Sequence, residues 1–127
     1  MGGVVVDPSV WIDFFAGTIP SLEDALAHGG VVLSPIVVAE LVSGARLARD
    51  RAAIADLTMQ LTLHDTPLDH WIRVGGLRRS MKARGITVST PDAHVAQCAL
   101  DRRALLLSRD AIFPKIARHC ELRVSRG

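Results

Sequence analysis

"VVVDPSVWID", residues 4–13, places three β-branched residues directly before a carboxylate and a proline. Val4, Val5 and Val6 suit a strand that is apolar on both faces, as strands of a covered parallel sheet are. Pro8 cannot continue a ladder, but its fixed φ and missing N–H suit the first turn of a helix. The stretch predicts a buried strand that ends at Asp7 and turns at once into a helix.

The same grammar recurs along the chain. Ser34-Pro35, Thr66-Pro67 and Thr90-Pro91, like Asp7-Pro8, set a capping residue before proline and predict four helix starts. Ser21 with Asp24, and Thr66 with Asp69, have the spacing of a capping box. Short apolar runs at 3–6, 31–33, 61–63, 104–107 and 121–124 read as strands, and helices are expected near 9–15, 21–28, 35–47, 50–60, 67–84, 91–103 and 113–119. This alternation predicts an α/β fold, a small and mainly parallel twisted sheet with helices on both faces, because crossovers of this length deliver parallel neighbours. Ligands of such sheets bind beyond the carboxyl ends of the strands. Gly75-Gly76, inside the 67–84 segment, predicts a kink or a close helix contact.

Composition narrows the class. A chain of 127 residues is expected to form a single domain, 1–127, with a core that needs no staples. At 49% apolar and 22% charged residues it is globular rather than disordered. No apolar run approaches the roughly 20 residues of a membrane span, and the N-terminus does not read as a secretory leader. Cys98 and Cys120 lack the spacing of a zinc or redox motif and are expected as buried, reduced thiols of a cytoplasmic protein. The net charge of +2 weakly favours an anionic partner.

Four of the thirteen acidic residues stand apart from helix ends and polar faces. Asp7 and Asp110 each end a strand-like run, Asp92 lies in the first turn after Thr90-Pro91, and Glu40 is embedded in "SPIVVAELVSGA". Singly, the three aspartates have ordinary readings as caps or as complements of the helix dipole. Glu40 does not, because Ile36, Val37, Ser43 and Gly44 occupy the positions from which a helical neighbour would neutralise it. In a parallel sheet all four fall at one edge, where they would repel unless a divalent cation held them. An all-oxygen set selects Mg2+ or Mn2+ over zinc. His28, His64, His70, His94 and His119 form no ligand pair at helical spacing, and His94 reads as structural.

Taken together, "VVVDPSVWIDFF" (4–15), "SPIVVAELVSGA" (34–45), "TPDAHVAQCAL" (90–100) and "ALLLSRDAIFPKIA" (104–117) resemble, in order and spacing, the PIN-domain ribonucleases. The similarity is closest to the short toxins of bacterial VapBC toxin–antitoxin pairs. The resemblance implies a PIN-like sheet flanked by helices, with Asp7, Glu40, Asp92 and Asp110 as an acidic Mg2+ site and Ser9 and Ser108 as its supporting hydroxyls. It further implies hydrolysis of cellular RNA, of the tRNA or rRNA class, leaving 5′-phosphate and 3′-hydroxyl ends, with an inhibitory antitoxin and a homodimer as partners. Two positions depart from the family pattern. Pro8 stands where Thr or Ser is common, and Ile112 stands where many relatives carry a further Asp, so a second metal would be held more weakly.

The segment 70–91 contains no acidic residue but carries Arg73, Arg78, Arg79, Lys82 and Arg84, which reads as a solvated face or as a contact for RNA phosphates or an acidic antitoxin segment. With two Trp, three Phe and no Tyr, base stacking is a minor resource. Two rival readings remain at this level: an RNA- or DNA-processing nuclease of the same fold without an antitoxin, and a non-catalytic binding module with a degenerate site.

Overall fold

The computed structural model describes residues 2–127. Its elements alternate as the apolar runs and prolines predict: β1 (Val4–Val6), α1 (Pro8–Ala16), α2 (Pro20–Ala27), β2 (Val31–Leu33), α3 (Pro35–Gly44), α4 (Ala48–Gln60), β3 (Thr62–Leu63), α5 (Leu68–Lys82), α6 (Thr90–Arg102), β4 (Leu105–Leu107), α7 (Ile112–Ala117) and β5 (Arg123–Ser125). The five strands form one sheet in the order β3-β2-β1-β4-β5, and every pairing is parallel. Chain order reverses on either side of β1, so the switch point where α/β sheets place their ligands lies between the ends of β1 and β4.

The strands are short, and their burial explains why they are apolar throughout. Val5, Val6, Val31, Val32, Leu33, Leu106 and Leu107 are all buried, and Trp11, Leu22, Phe113 and Ile116 close over them from the helices. Each such side chain contributes roughly 1.5–3 kcal/mol of transfer free energy. Gly3 leads into β1 at φ 92°, and a Cβ there would come within 2.7 Å of the Gly30 carbonyl oxygen, so only glycine lets the strand start this close to the entry of β2.

Several capping expectations are corrected. Ser89, not Thr90, caps α6, accepting from the Asp92 amide at 3.2 Å; Thr90 is already helical. Pro67 itself occupies the cap position of α5, so the Thr66–Asp69 box does not form, and Asp69 pairs instead with Arg73. α2 opens at Pro20 behind Ile19, which leaves Ser21 inside the helix rather than capping it. Ser34 does sit at the cap position of α3, but its hydroxyl makes no cap bond. α5 runs unbroken through Gly75-Gly76, and a Cβ on either glycine would meet nothing within 4 Å, so the expected close contact is absent.

Candidate active site

Asp7 is the most firmly held of the four carboxylates. It ends β1 and caps α1, and its Oδ2 accepts from the Ser9 amide at 3.2 Å, the Ser9 hydroxyl at 2.7 Å and the Ser108 hydroxyl at 3.2 Å. Because Pro8 fills the first helical position, Ser9 supplies both of the donors that come from α1. The hydroxyls are tied in turn: the Arg109 amide donates to Ser9 Oγ at 3.2 Å and the Asp110 amide to Ser108 Oγ at 3.1 Å. None of these bonds falls on Asp7 Oδ1.

The other three acids come from separate elements. Asp110 follows β4, is exposed, and accepts from the Ile112 amide at 3.1 Å, so the residue that cannot bind metal braces a carboxylate through its backbone. Asp92 lies half-buried in the first turn of α6, and Glu40 projects from α3. Glu40 reaches solvent, which corrects the expectation of a carboxylate sunk in an apolar helix face.

Their electrostatics connect them. Asp7 is raised above its ordinary pKa first by burial, against the three donors that favour its charge, with Asp110 adding repulsion. Asp92 is raised by burial and then by Asp110 and Asp7; Glu40 is raised by partial desolvation and then by Asp7 and Asp92. Glu40 and Asp92 thus each feel two of the other acids and Asp7 feels Asp110, while none of the four belongs to an ion pair among the described residues. The nearest cation in sequence, Arg109, is drawn aside by Asp13 at 2.7 Å and by the Arg126 carbonyl at 3.1 Å. No three of the four bring ligand oxygens within 4.8 Å of one another. The donor set suits a hard divalent ion that keeps part of its water shell, as Mg2+ does.

Of the basic residues, Arg73 is not free: its guanidinium forks onto Asp101 at 3.1 and 2.9 Å and touches Asp69 at 3.3 Å. Arg78 donates to the Val88 carbonyl at 2.9 Å and Arg84 to the Ser80 hydroxyl at 2.9 Å. Arg78, Arg79 and Lys82 line a shallow groove with Thr87 and Val88.

Two features escape the sequence reading. One is a cleft beside Glu40 with Ile12, Phe15, Leu41, Ala45 and Ile54 in its walls. The other is a buried polar chain in which Ser34 Oγ meets His94 Nε2, His94 Nδ1 meets His70 Nε2 at 2.7 Å, and His70 Nδ1 meets Asp101 at 3.3 Å. Trp71 stacks on His94 with ring centroids 4.8 Å apart, and His64 lies edge-on to His70 at 5.3 Å. The histidines thus cluster despite their scatter, and the legible signal was His94, Cys98 and Asp101 one turn apart on a helix otherwise rich in alanine.

A family model described as PIN domain matches residues 4–119. The chain is similar to DNA-bound VapBC from Salmonella typhimurium, with a TM-score of 0.82 and 20% identity over 98% of both chains. It is similar to VapBC-1 from nontypeable Haemophilus influenzae, with a TM-score of 0.77 and 18% identity over 98% of this chain and 97% of that one. FitAcB from Neisseria gonorrhoeae follows at a TM-score of 0.65 and 19% identity over 95% of both chains. At these identities the likeness is one of fold. No curated protein matches the chain.

Proposed function

The chain belongs to the PIN-domain family, and on that premise we propose that it is a metal-dependent endoribonuclease acting as the toxin of a toxin–antitoxin pair. One observation carries the reading: four carboxylates from α3, α6 and the ends of β1 and β4 lie at the sheet's switch point, Asp7, Glu40 and Asp92 raised above their ordinary pKa by burial and then by neighbouring acids, with no cation paired to any of the four. Stability alone would select against such a cluster, whereas catalysis of phosphodiester hydrolysis gives it a use.

Asp7, Asp92 and Asp110 would hold Mg2+, or Mn2+, directly or through water, and the ion would supply a more acidic bound water and neutralise charge on the phosphate oxygens. Ser9 and Ser108 fix Asp7 by loading Oδ2, which keeps Oδ1 for the site. Glu40, at the solvent rim, accepts a hydrogen bond from the attacking water and orients it toward the scissile phosphate. Water attacks phosphorus, the 3′-oxygen leaves as a hydroxyl, and the phosphate remains on the 5′ end. Arg78, Arg79, Lys82 and Arg84 contact the RNA backbone along the groove of α5; Arg73 is withdrawn from that role by its two aspartates.

The antitoxin partner is proposed from the likeness to VapBC complexes, and the homodimer from the family resemblance alone. The cleft beside Glu40 offers an apolar seat from which an antitoxin segment would block the acids. No helix among the described residues is long and apolar enough to cross a membrane; action on RNA in the cytoplasm is proposed from the family resemblance. Incubating the protein with total RNA and Mg2+, mapping new 5′ ends and repeating with Asp7→Asn tests the reading. New ends made only by the wild type support it. Equal cleavage by the variant sinks the site, and no cleavage by either favours a binding module.

A further inference from the structure

We propose that His64, His70 and Cys98 form a second metal site, distinct from the acidic one, that takes a borderline-soft cation of the Zn2+ type. Their ligand atoms all lie within 4.8 Å of one another, and all three side chains are buried. Zinc needs neighbouring nitrogen and sulfur ligands roughly 3.3–3.7 Å apart, as follows from bond lengths near 2.0–2.3 Å in a tetrahedron, so modest side-chain rotation closes the triangle. Cys98 Sγ also lies 3.5 Å from His94 Nε2, but His94 falls outside this group and its Nε2 meets Ser34, so the protein supplies three ligands.

Two further features fit a cation rather than ordinary core packing. His64 is only 7% exposed, yet its Nδ1 is buried with no hydrogen-bond partner, a costly condition that a metal bond would relieve. His70 turns Nδ1 to Asp101, so its Nε2 carries the lone pair, and a carboxylate behind a ligating imidazole is the usual orienting partner of a bound metal. Asp101 is itself secured by Arg73 and Gln97. Binding releases the Cys98 thiol proton to solvent and trades the His70–His94 hydrogen bond for metal bonds. His64 alone of the three ligands retains exposed surface and marks the side of entry.

The site is independent of the nuclease reading and is told from the acidic site by its sulfur. Chelator-stripped, full-length protein is titrated with Co2+, whose bond to a thiolate gives a near-ultraviolet charge-transfer band that a carboxylate site cannot give. The expected result is a band saturating at one equivalent, displaced by Zn2+ and untouched by millimolar Mg2+. Cys98→Ser abolishes it, His64→Asn weakens Co2+ binding at least about tenfold, and Asp7→Asn and Cys120→Ala leave it intact. Circular dichroism confirms the fold of each variant, and His64→Asn, lying on the chain just after β3, serves if Cys98→Ser unfolds. Absence of the band in the wild type, or an undiminished Co2+ affinity in folded His64→Asn, overturns the proposal, as does loss of the band in Cys120→Ala.

Discussion

The acidic edge and the histidine core lie on either side of the first turn of α6, which gives Asp92 to one and His94 to the other. At the edge, burial and then the charge of neighbouring acids raise Asp7, Glu40 and Asp92 above their ordinary pKa values, with no cation paired to them. In the core, polar groups complete one another: the Ser34 hydroxyl donates to His94, the second His94 nitrogen to His70, and the second His70 nitrogen to Asp101. The core chain runs from Ser34 to Asp101, and burial holds His94 down to about 4, well below its ordinary value. The difference separates polar groups that keep the fold from polar groups that the fold has to tolerate.

The largest test of that contrast exchanges one residue in each region. Asp7→Asn removes a ligand charge and is expected to lower the rate of Mg2+-dependent cleavage at least about 1,000-fold, roughly 4 kcal/mol in activation free energy. Its unfolding midpoint in chelator at neutral pH should not fall. His70→Ala should do the reverse, since it strips His94 and Asp101 of a partner and opens a cavity, at a cost of about 2–4 kcal/mol in denaturant unfolding. Cleavage per folded molecule should stay within a few-fold. A folded His70→Ala protein without cleavage would show that the two regions are one device.

The pH response sharpens the contrast because the two regions push in opposite directions. Asp7, Glu40 and Asp92 have native pKa values above their unfolded ones, so the native state holds protons more tightly. The stability they contribute is fully present below the unfolded carboxylate values and is lost as pH rises through the native ones. His94 runs the other way: its unfolded form takes up a proton near 6.5, the native form only near 4, so its contribution is lost as pH falls across that window. In chelator at pH 7.5, Asp92→Asn should therefore raise the unfolding free energy by about 1 kcal/mol or less, given solvent screening of this half-exposed group. Thermal melts should show the gain vanish when Mg2+ is added, since the cation already quenches the repulsion, and a gain that persists in Mg2+ would break the assignment.

The edge was legible in the sequence and the core was not, for a physical reason. Asp7 and Asp110 each end an apolar run, and a parallel sheet brings all such ends to one side, so topology converts sequence position directly into proximity. The alternation of valine runs and prolines was likewise enough for the sheet and its helices, with ends off by a few residues where Ser89 and Ile19, rather than the expected hydroxyls, took the cap positions. The histidines meet through the packing of α5 on α6, and no periodicity within either helix reports how two helices face each other. Glu40 shows the opposite error: apolar neighbours in sequence implied burial, yet α3 turns Ala39, Glu40, Val42 and Ser43 outward together.

The smallest expected effect concerns α5, which joins the histidine core to the basic groove. Its first turns lock His70 into the core, and its last turns carry the basic groove, with Gly75-Gly76 as the joint between them. Glycine within a helix costs about 0.5–1 kcal/mol relative to alanine, a cost that evolution accepts where a neighbour presses close or the helix must bend. No neighbour lies within 4 Å of a Cβ at either position, and the helix is continuous. Gly75→Ala should therefore stabilise the protein by about 0.5–1 kcal/mol in denaturant unfolding, chiefly by restricting the unfolded chain. If α5 is a rigid bridge, RNA cleavage by this variant stays at the wild-type rate. If instead the glycines let the basic half of α5 move onto RNA while His70 stays fixed, the same substitution will stabilise the protein and slow cleavage together. That outcome would tie the basic groove to motion and the core to its anchor.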